Sequence, residues 1–246
     1  MAQARIDVTT PDGVIDCYVF RPNGEGPWPA VLLYMDAFGV RPALASMAER
    51  LASHGYVVAV PNLYYRSGAY APFDSSKVFT EGPERDRFKG MIASISDSTV
   101  MRDTSAVLEA LDRLSFVRPG SIAALGYCMG GGFALSAAGT FPDRVVAAAS
   151  FHGGGLANDK PDSPHLLASK MRARVYVGAA GIDPSFTAEQ EARLKQALDE
   201  AGVQYVLERY EGAKHGFAVT GHPVYDRDAS ERHWQVLLRE LQTQLS

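Results

Sequence analysis

Apolar and polar residues alternate over residues 4–9 and again over 14–20, with the turn-forming Pro11-Asp12-Gly13 between them, so the chain is predicted to open on a β-hairpin. The pattern then changes. Residues 30–35 (AVLLYM) are an unbroken apolar run, which suits a strand covered on both faces in a parallel sheet. A helix is predicted over 42–54, opened by Pro42 and closed by Gly55, and a strand over 56–60. Further helices are predicted at 98–114, 129–140, 186–201 and 230–245, and further strands at 121–126, 145–151, 174–178 and 204–209. The Gly/Pro-rich 21–29 reads as a loop and 66–84, rich in Ser, Pro and Gly, as irregular. An antiparallel start followed by strand–helix alternation predicts one α/β domain over 1–246, with a mostly parallel central sheet and helices on both faces.

Composition narrows this little further. The 246 residues carry a formal charge of −4 and 46% hydrophobic residues, which excludes intrinsic disorder. Mild acidity supplies no electrostatic ground for nucleic acid or a membrane surface as partner. Residues 1–7 contain no apolar leader, so a cytoplasmic protein is expected. The uncharged stretch 121–141 is long enough to span a bilayer, but Gly126, Gly130, Gly131, Gly132 and Gly139 break it into two shorter patterns, read as buried globular structure. Two cysteines, Cys17 and Cys128, are too few for a disulfide scaffold.

The most informative string surrounds the second cysteine. Ala123-Ala124-Leu125-Gly126-Tyr127-Cys128-Met129-Gly130-Gly131-Gly132 reads as a strand, then G-x-C-x-G, then a helix. It matches a nucleophile elbow with sulfur in place of oxygen. Such a turn strains the central backbone and crowds the residues two positions to either side, which Gly126 and Gly130 relieve. The helix that follows turns its positive end toward the sulfur and favours thiolate. Its first amide, Met129 N–H, has no intrahelical acceptor and is available to an oxyanion. The competing reading is a buried packing cysteine, which is how Cys17, in an alternating strand without such glycines, is read.

A thiol nucleophile needs a base, and the base an orienting acid. His215, in the glycine-flanked Glu211-Gly212-Ala213-Lys214-His215-Gly216-Phe217 after the strand 204–209, is the candidate base, against a merely exposed loop histidine. Asp183, in Gly178-Ala179-Ala180-Gly181-Ile182-Asp183-Pro184 after the strand 174–178, is the candidate acid, against a turn or capping aspartate. The chain order Cys, Asp, His is that of α/β-hydrolases. His152, past the strand 145–151, is either a substrate contact or a satisfied structural histidine. Phe38, Tyr64, Tyr65, Phe73, Tyr127 and Phe217 fall in or beside the edge loops, either walling an apolar pocket or filling the core.

These residues resemble the dienelactone hydrolase family. The resemblance rests on Met35-Asp36-Ala37-Phe38-Gly39-Val40, Ala59-Val60-Pro61-Asn62-Leu63-Tyr64, Gly126-Tyr127-Cys128-Met129-Gly130-Gly131 and Gly212-Ala213-Lys214-His215-Gly216-Phe217. It implies an α/β-hydrolase fold, a triad of Cys128, Asp183 and His215, and an oxyanion hole made by the backbone N–H groups of Met129 and Ala37. Two departures stand out. Where the family has a glutamate that holds and activates the resting thiol, this chain has the shorter Asp36, either in that role or as a loop cap. Where dienelactone-specific members place a carboxylate-clamping arginine after the histidine, this chain has Val219; Arg85 and Arg87 lie in the region of the family's other such arginine.

The activity implied is hydrolysis of small carboxylic esters or lactones through an acyl-thioester, with a small-molecule ester or lactone and water as partners, in a monomer or homodimer. No cofactor or metal is expected, since zinc-type ligand spacing, a P-loop and G-x-G-x-x-G are absent from the sequence. The alternatives are a thioesterase or other acyl hydrolase on the same triad and a non-catalytic small-molecule binder. A thiol redox protein would need a resolving cysteine, for which Cys17 is poorly placed.

Overall fold

The computed structural model describes residues 1–75 and 77–246. The strands are β1 (Ala2–Thr10), β2 (Gly13–Arg21), β3 (Trp28–Tyr34), β4 (Val57–Pro61), β5 (Val117–Tyr127), β6 (Val145–Phe151), β7 (Arg174–Ile182) and β8 (Tyr205–Lys214). The helices are α1 (Pro42–Ser53), α2 (Pro83–Ala93), α3 (Asp97–Asp112), α4 (Met129–Thr140), α5 (Ala188–Glu200) and α6 (Arg227–Leu245). The strands form one eight-stranded sheet in the order β1-β2-β4-β3-β5-β6-β7-β8. The hairpin β1–β2 is antiparallel within itself and to β4; β4, β3 and β5 to β8 run parallel.

The period-2 side-chain alternation of β5 and β6 decides what each face holds. Gly126 pairs with Ser150 and faces α4, whereas Tyr127 pairs with Phe151 and both rings pack on His233 of α6. Helix α4 carries Gly and Ala all round and is buried almost throughout, as a helix laid over the centre of a sheet must be. The uncharged stretch 121–141 thus divides at Cys128 into the end of β5 and α4, and no helix among the described residues is long and apolar enough to cross a membrane.

The elements depart from the sequence reading in two places that matter to function. Helix α2 begins at Pro83, inside the segment read as irregular; it buries only Phe88 and Met91 and its N-cap Gly82 offers no side chain, so it lacks an apolar stripe to announce it. Strands β7 and β8 run four and five residues further than predicted. Their extensions deliver two of the candidate catalytic side chains.

Candidate active site

Polar or reactive residues follow five of the parallel strands along one edge of the sheet. Beyond β5 stands Cys128, beyond β6 His152, beyond β7 Asp183 and beyond β8 His215; two residues past β3 stands Asp36. This is the carboxyl edge, where open α/β sheets place ligands.

Cys128 sits at the strand-to-helix turn with φ 54° and ψ −121°, a left-handed backbone that a non-glycine residue adopts only when its surroundings enforce it. Its amide donates to Phe151 O at 3.1 Å, and its carbonyl accepts from Gly131 N–H at 3.0 Å. The two flanking glycines are required by contact distance. A Cβ on Gly126 would lie 1.9 Å from Gly130 O, and one on Gly130 would lie 2.6 Å from the carbonyl oxygens of Tyr34 and Met35. Cys128 is partly exposed at this bend, in contrast with Cys17, which is buried in β2.

The acid and the base are brought together by an irregularity in the β7–β8 ladder. Ala180 pairs with Tyr210, but Ile182 pairs with Lys214, so β8 carries two extra residues between those rungs. An uninterrupted register would place Asp183 beside Ala213; the bulge, with Gly212 at φ 77°, places it beside His215 instead. There His215 Nδ1–H donates to Asp183 Oδ2 at 2.7 Å. With Nδ1 engaged, the imidazole also interacts with the side chain of Cys128, which favours its charged form.

Electrostatics follow from these contacts. Burial by itself pulls His215 toward its neutral form, but the hydrogen bonds and charges of Asp183 and Cys128 outweigh it and raise the imidazolium pKa to about 10. Burial likewise opposes ionisation of Asp183, yet the hydrogen bonds from His215 and Ser185 hold its carboxyl below the ordinary 3.8. Ser185 is a member of the site that the sequence reading missed. Its hydroxyl donates to Asp183 Oδ1 at 2.5 Å and its amide donates to the same oxygen at 2.9 Å, while its Oγ also lies 3.0 Å from His215 Nδ1. The signal was local: an aspartate followed two positions later by serine is the spacing of a side chain capping its own turn.

The dienelactone hydrolase family matches over residues 15–245. The chain belongs to the dienelactone hydrolase family. A Synechocystis protein named "Putative carboxymethylenebutenolidase" is 29% identical over 231 residues, covering 93% of this chain and 91% of that protein. An Escherichia coli O157:H7 protein of the same name is 30% identical over 229 residues, covering 90% of this chain and 79% of its own. Among solved structures, one titled a putative dienelactone hydrolase from Klebsiella pneumoniae superposes with a TM-score of 0.86 at 23% identity, over 98% of both chains, and so shares the fold.

The loop after β3 carries Asp36 and Ala37. Asp36 is buried and accepts two hydrogen bonds from Arg41, at 2.6 and 2.7 Å, and a third from Phe38 N–H at 2.9 Å. Its carboxylate is thus committed to fixing the loop, the capping alternative read from the sequence, and its hydrogen bonds run to Arg41 and Phe38 rather than to the sulfur. Arg41 was not anticipated, because five residues of irregular loop impose no periodicity to pair the two. The carbonyl of Ala37 is fixed from the other side by Tyr64 Oη at 2.8 Å, so the loop bearing the Ala37 amide is tethered at both ends.

The remaining predicted wall residues divide. Phe38 lies beside the site, in a small apolar cluster with Ala37, Val78 and Phe88 against which Met129 packs. Tyr127 and Phe217 are fully buried: Tyr127 hydrogen-bonds His233 Nε2 at 3.0 Å, and Phe217 stacks on Tyr210. Tyr127, at the end of β5, and Phe217, in the turn after β8, fill the core and present no surface to a ligand, a correction to their reading as pocket residues. His152 is 1% exposed, and neither ring nitrogen has a hydrogen-bond partner among the described residues. Its φ is 39°, and its ring lies 5.2 Å from that of His215. Burial holds it well below the ordinary histidine pKa, so a neutral ring underlies the charged one.

The positions weighed from the sequence as carboxylate clamps are already committed. Val219 is buried. Arg87 is bound to Glu84 at 2.7 Å and lies over Phe73, and Arg85 pairs with Glu81 at 3.6 Å. A cleft of about 550 Å³ opens from Met129 and Gly154 past Ile92, Phe133 and Pro164. No group of three or more His, Cys, Asp or Glu side chains among the described residues is placed to hold a metal ion.

Proposed function

We propose that this chain hydrolyses small neutral carboxylic esters or lactones through Cys128, His215 and Asp183. The observation that carries the reading is one imidazole that donates from Nδ1 to Asp183 and also interacts with the side chain of Cys128. The Cys128 proton resides on His215 as sulfur forms a bond to the ester carbonyl carbon, and Asp183 keeps the tautomer and stabilises the imidazolium. The carbonyl oxygen becomes an oxyanion facing the Met129 and Ala37 amides, each such donor being worth roughly 3 kcal/mol in comparable sites. Collapse breaks the carbon–oxygen bond, and His215 returns the proton to the departing alkoxide. Water, deprotonated by the now neutral imidazole, then attacks the thioester; the acid leaves and the thiol is restored.

The preference for neutral substrates rests on Val219 and on the pairing of Arg85 and Arg87 with glutamates, which leave no guanidinium at those positions to clamp a carboxylate. Comparable kcat/KM for dienelactone and for a neutral short-chain ester is the expected result; a large preference for dienelactone would contradict it. The mechanism itself is tested by Cys128→Ala, expected to lower kcat by at least about 10⁴-fold without changing the thermal midpoint by more than a degree or two. Mass spectrometry of the wild-type chain quenched during turnover should find one acyl group on the peptide containing Cys128. Full activity in Cys128→Ala would eliminate the thiol as nucleophile.

A further inference from the structure

Aromatic rings span one side of the site, from the loop that carries Ala37 to the loop that carries His215. Phe38, next to Ala37, lies 5.9 Å from the His222 ring at 83°, 5.2 Å from Phe88 and 6.3 Å from Phe79 at 71°. His222 in turn rests on the residue after the base: a Cβ on Gly216 would come within 2.8 Å of its ring, so glycine is what allows the ring so close to His215. Phe79 caps the row. It is 65% exposed, more than any other large apolar side chain among the described residues, yet its ring reaches both Phe38 and Phe88. An aromatic side chain left on the rim of a cluster it could have joined is an apolar surface without an occupant.

The chemistry of ester cleavage says which part of a substrate meets this wall. The carbonyl oxygen must face the Ala37 and Met129 amides, and the departing oxygen must face His215, which protonates it. The substituent on the departing oxygen therefore lies between the Ala37 loop and the His215 loop, against Phe38 and His222. The acyl substituent has the separate cleft that opens from Met129 past Phe133 and Ile92. The wall is apolar and its nearest cation is engaged: Arg41 is bound to Asp36 by two hydrogen bonds and lies 5.2 Å over Phe38. Burial disfavours a charge on His222, an effect that Asp36 opposes and that the charges of His215 and Arg41 reinforce.

We infer that Phe79, Phe38 and His222 form a leaving-group subsite for a planar apolar alcohol, so that the favoured substrates are neutral aryl or arylmethyl esters, with Phe79 covering the ring. This rests on the ester-hydrolase reading above. The test compares benzyl acetate with methyl acetate, which share an acyl group and hence an acyl-enzyme, by kcat/KM, which reports the step in which the alcohol departs. Wild-type protein should prefer benzyl acetate. Phe79→Ala should lower kcat/KM for benzyl acetate about tenfold and change that for methyl acetate by less than twofold. Phe79→Tyr, which keeps the ring face, should retain the preference. As Phe79 is mostly exposed, thermal melting should be unchanged in both variants and will show that the fold is intact. Turnover of both esters with no selective loss in Phe79→Ala, or an equal loss on both, overturns the subsite and leaves the hydrolase reading standing. Turnover of neither ester by the wild-type protein overturns the hydrolase reading and the subsite with it.

Discussion

At the scale of single residues, the candidate chemistry depends on the strained backbone of Cys128 and on the long-range partners of His215 and Asp36. A cysteine between Gly126 and Gly130 can be read from five letters because the turn itself demands glycine at both flanks. Asp183 and His215 were legible by their chain order and by following strands. Ser185 and Arg41 were not, because their roles depend on which oxygen or carboxylate the fold brings to them. The contacts of His215 have a consequence for stability. Its folded value of about 10 lies above the ordinary 6.5, so the folded chain binds that proton more tightly than the unfolded chain does. The resulting stabilisation is complete below about pH 6.5 and is lost as pH rises through about 10. The thermal midpoint of the wild-type protein should therefore fall by roughly a few degrees between pH 7 and pH 10, and His215→Gln should flatten that fall. A midpoint equally pH-dependent in the variant would assign the slope to other groups.

At the scale of elements, two short pieces of backbone hold the site together. The first is the elbow. A methyl group on Gly126 would need to occupy the position of Gly130 O, and backbone cannot yield as a side chain can. Gly126→Ala is expected to cost more than about 3 kcal/mol and to leave little soluble protein. Gly90→Ala is the matched control: this residue lies in α2 with open space around it, so the same change should gain about 0.5–1 kcal/mol by urea titration. The second piece is the loop after β3, clamped by Arg41 on Asp36 and by Tyr64 on Ala37. Arg41→Ala frees the Asp36 carboxylate and loosens the Ala37 amide proposed above to face the developing charge. Steady-state kinetics should show kcat lowered about tenfold with KM little altered, as expected when a transition-state contact weakens. A rise in KM at constant kcat would instead place Arg41 in substrate binding.

At the scale of the whole molecule, the sheet sorts two chemically identical side chains into different roles. Cys17 is buried in β2, where burial pushes its thiol up to about 12; Cys128 is lifted to the carboxyl edge and is partly exposed. A thiol reagent at pH 8 should therefore modify one cysteine per folded chain quickly, and the second only after denaturation. Two fast thiols in the native protein would mean that the β2 region opens readily. The architecture as a whole was legible because it rests on patterns of a few residues: the alternating hairpin, the continuous apolar strands, the glycine-marked turn. Helix α2 escaped because it buries one short face and lacks a side-chain cap.

By itself, then, the order of residues determined the strand–helix alternation, the elbow at Cys128 and the family to which the chain belongs, since each is written in contiguous residues governed by local sterics and periodicity. Only the tertiary structure decided what those residues meet. A two-residue bulge in β8 sets His215 beside Asp183, a bend in the loop after β3 gives Asp36 to Arg41, and side-chain alternation in β5 sends Tyr127 into the core. Such pairings join positions up to scores of residues apart in the chain, and no local preference carries information across that distance.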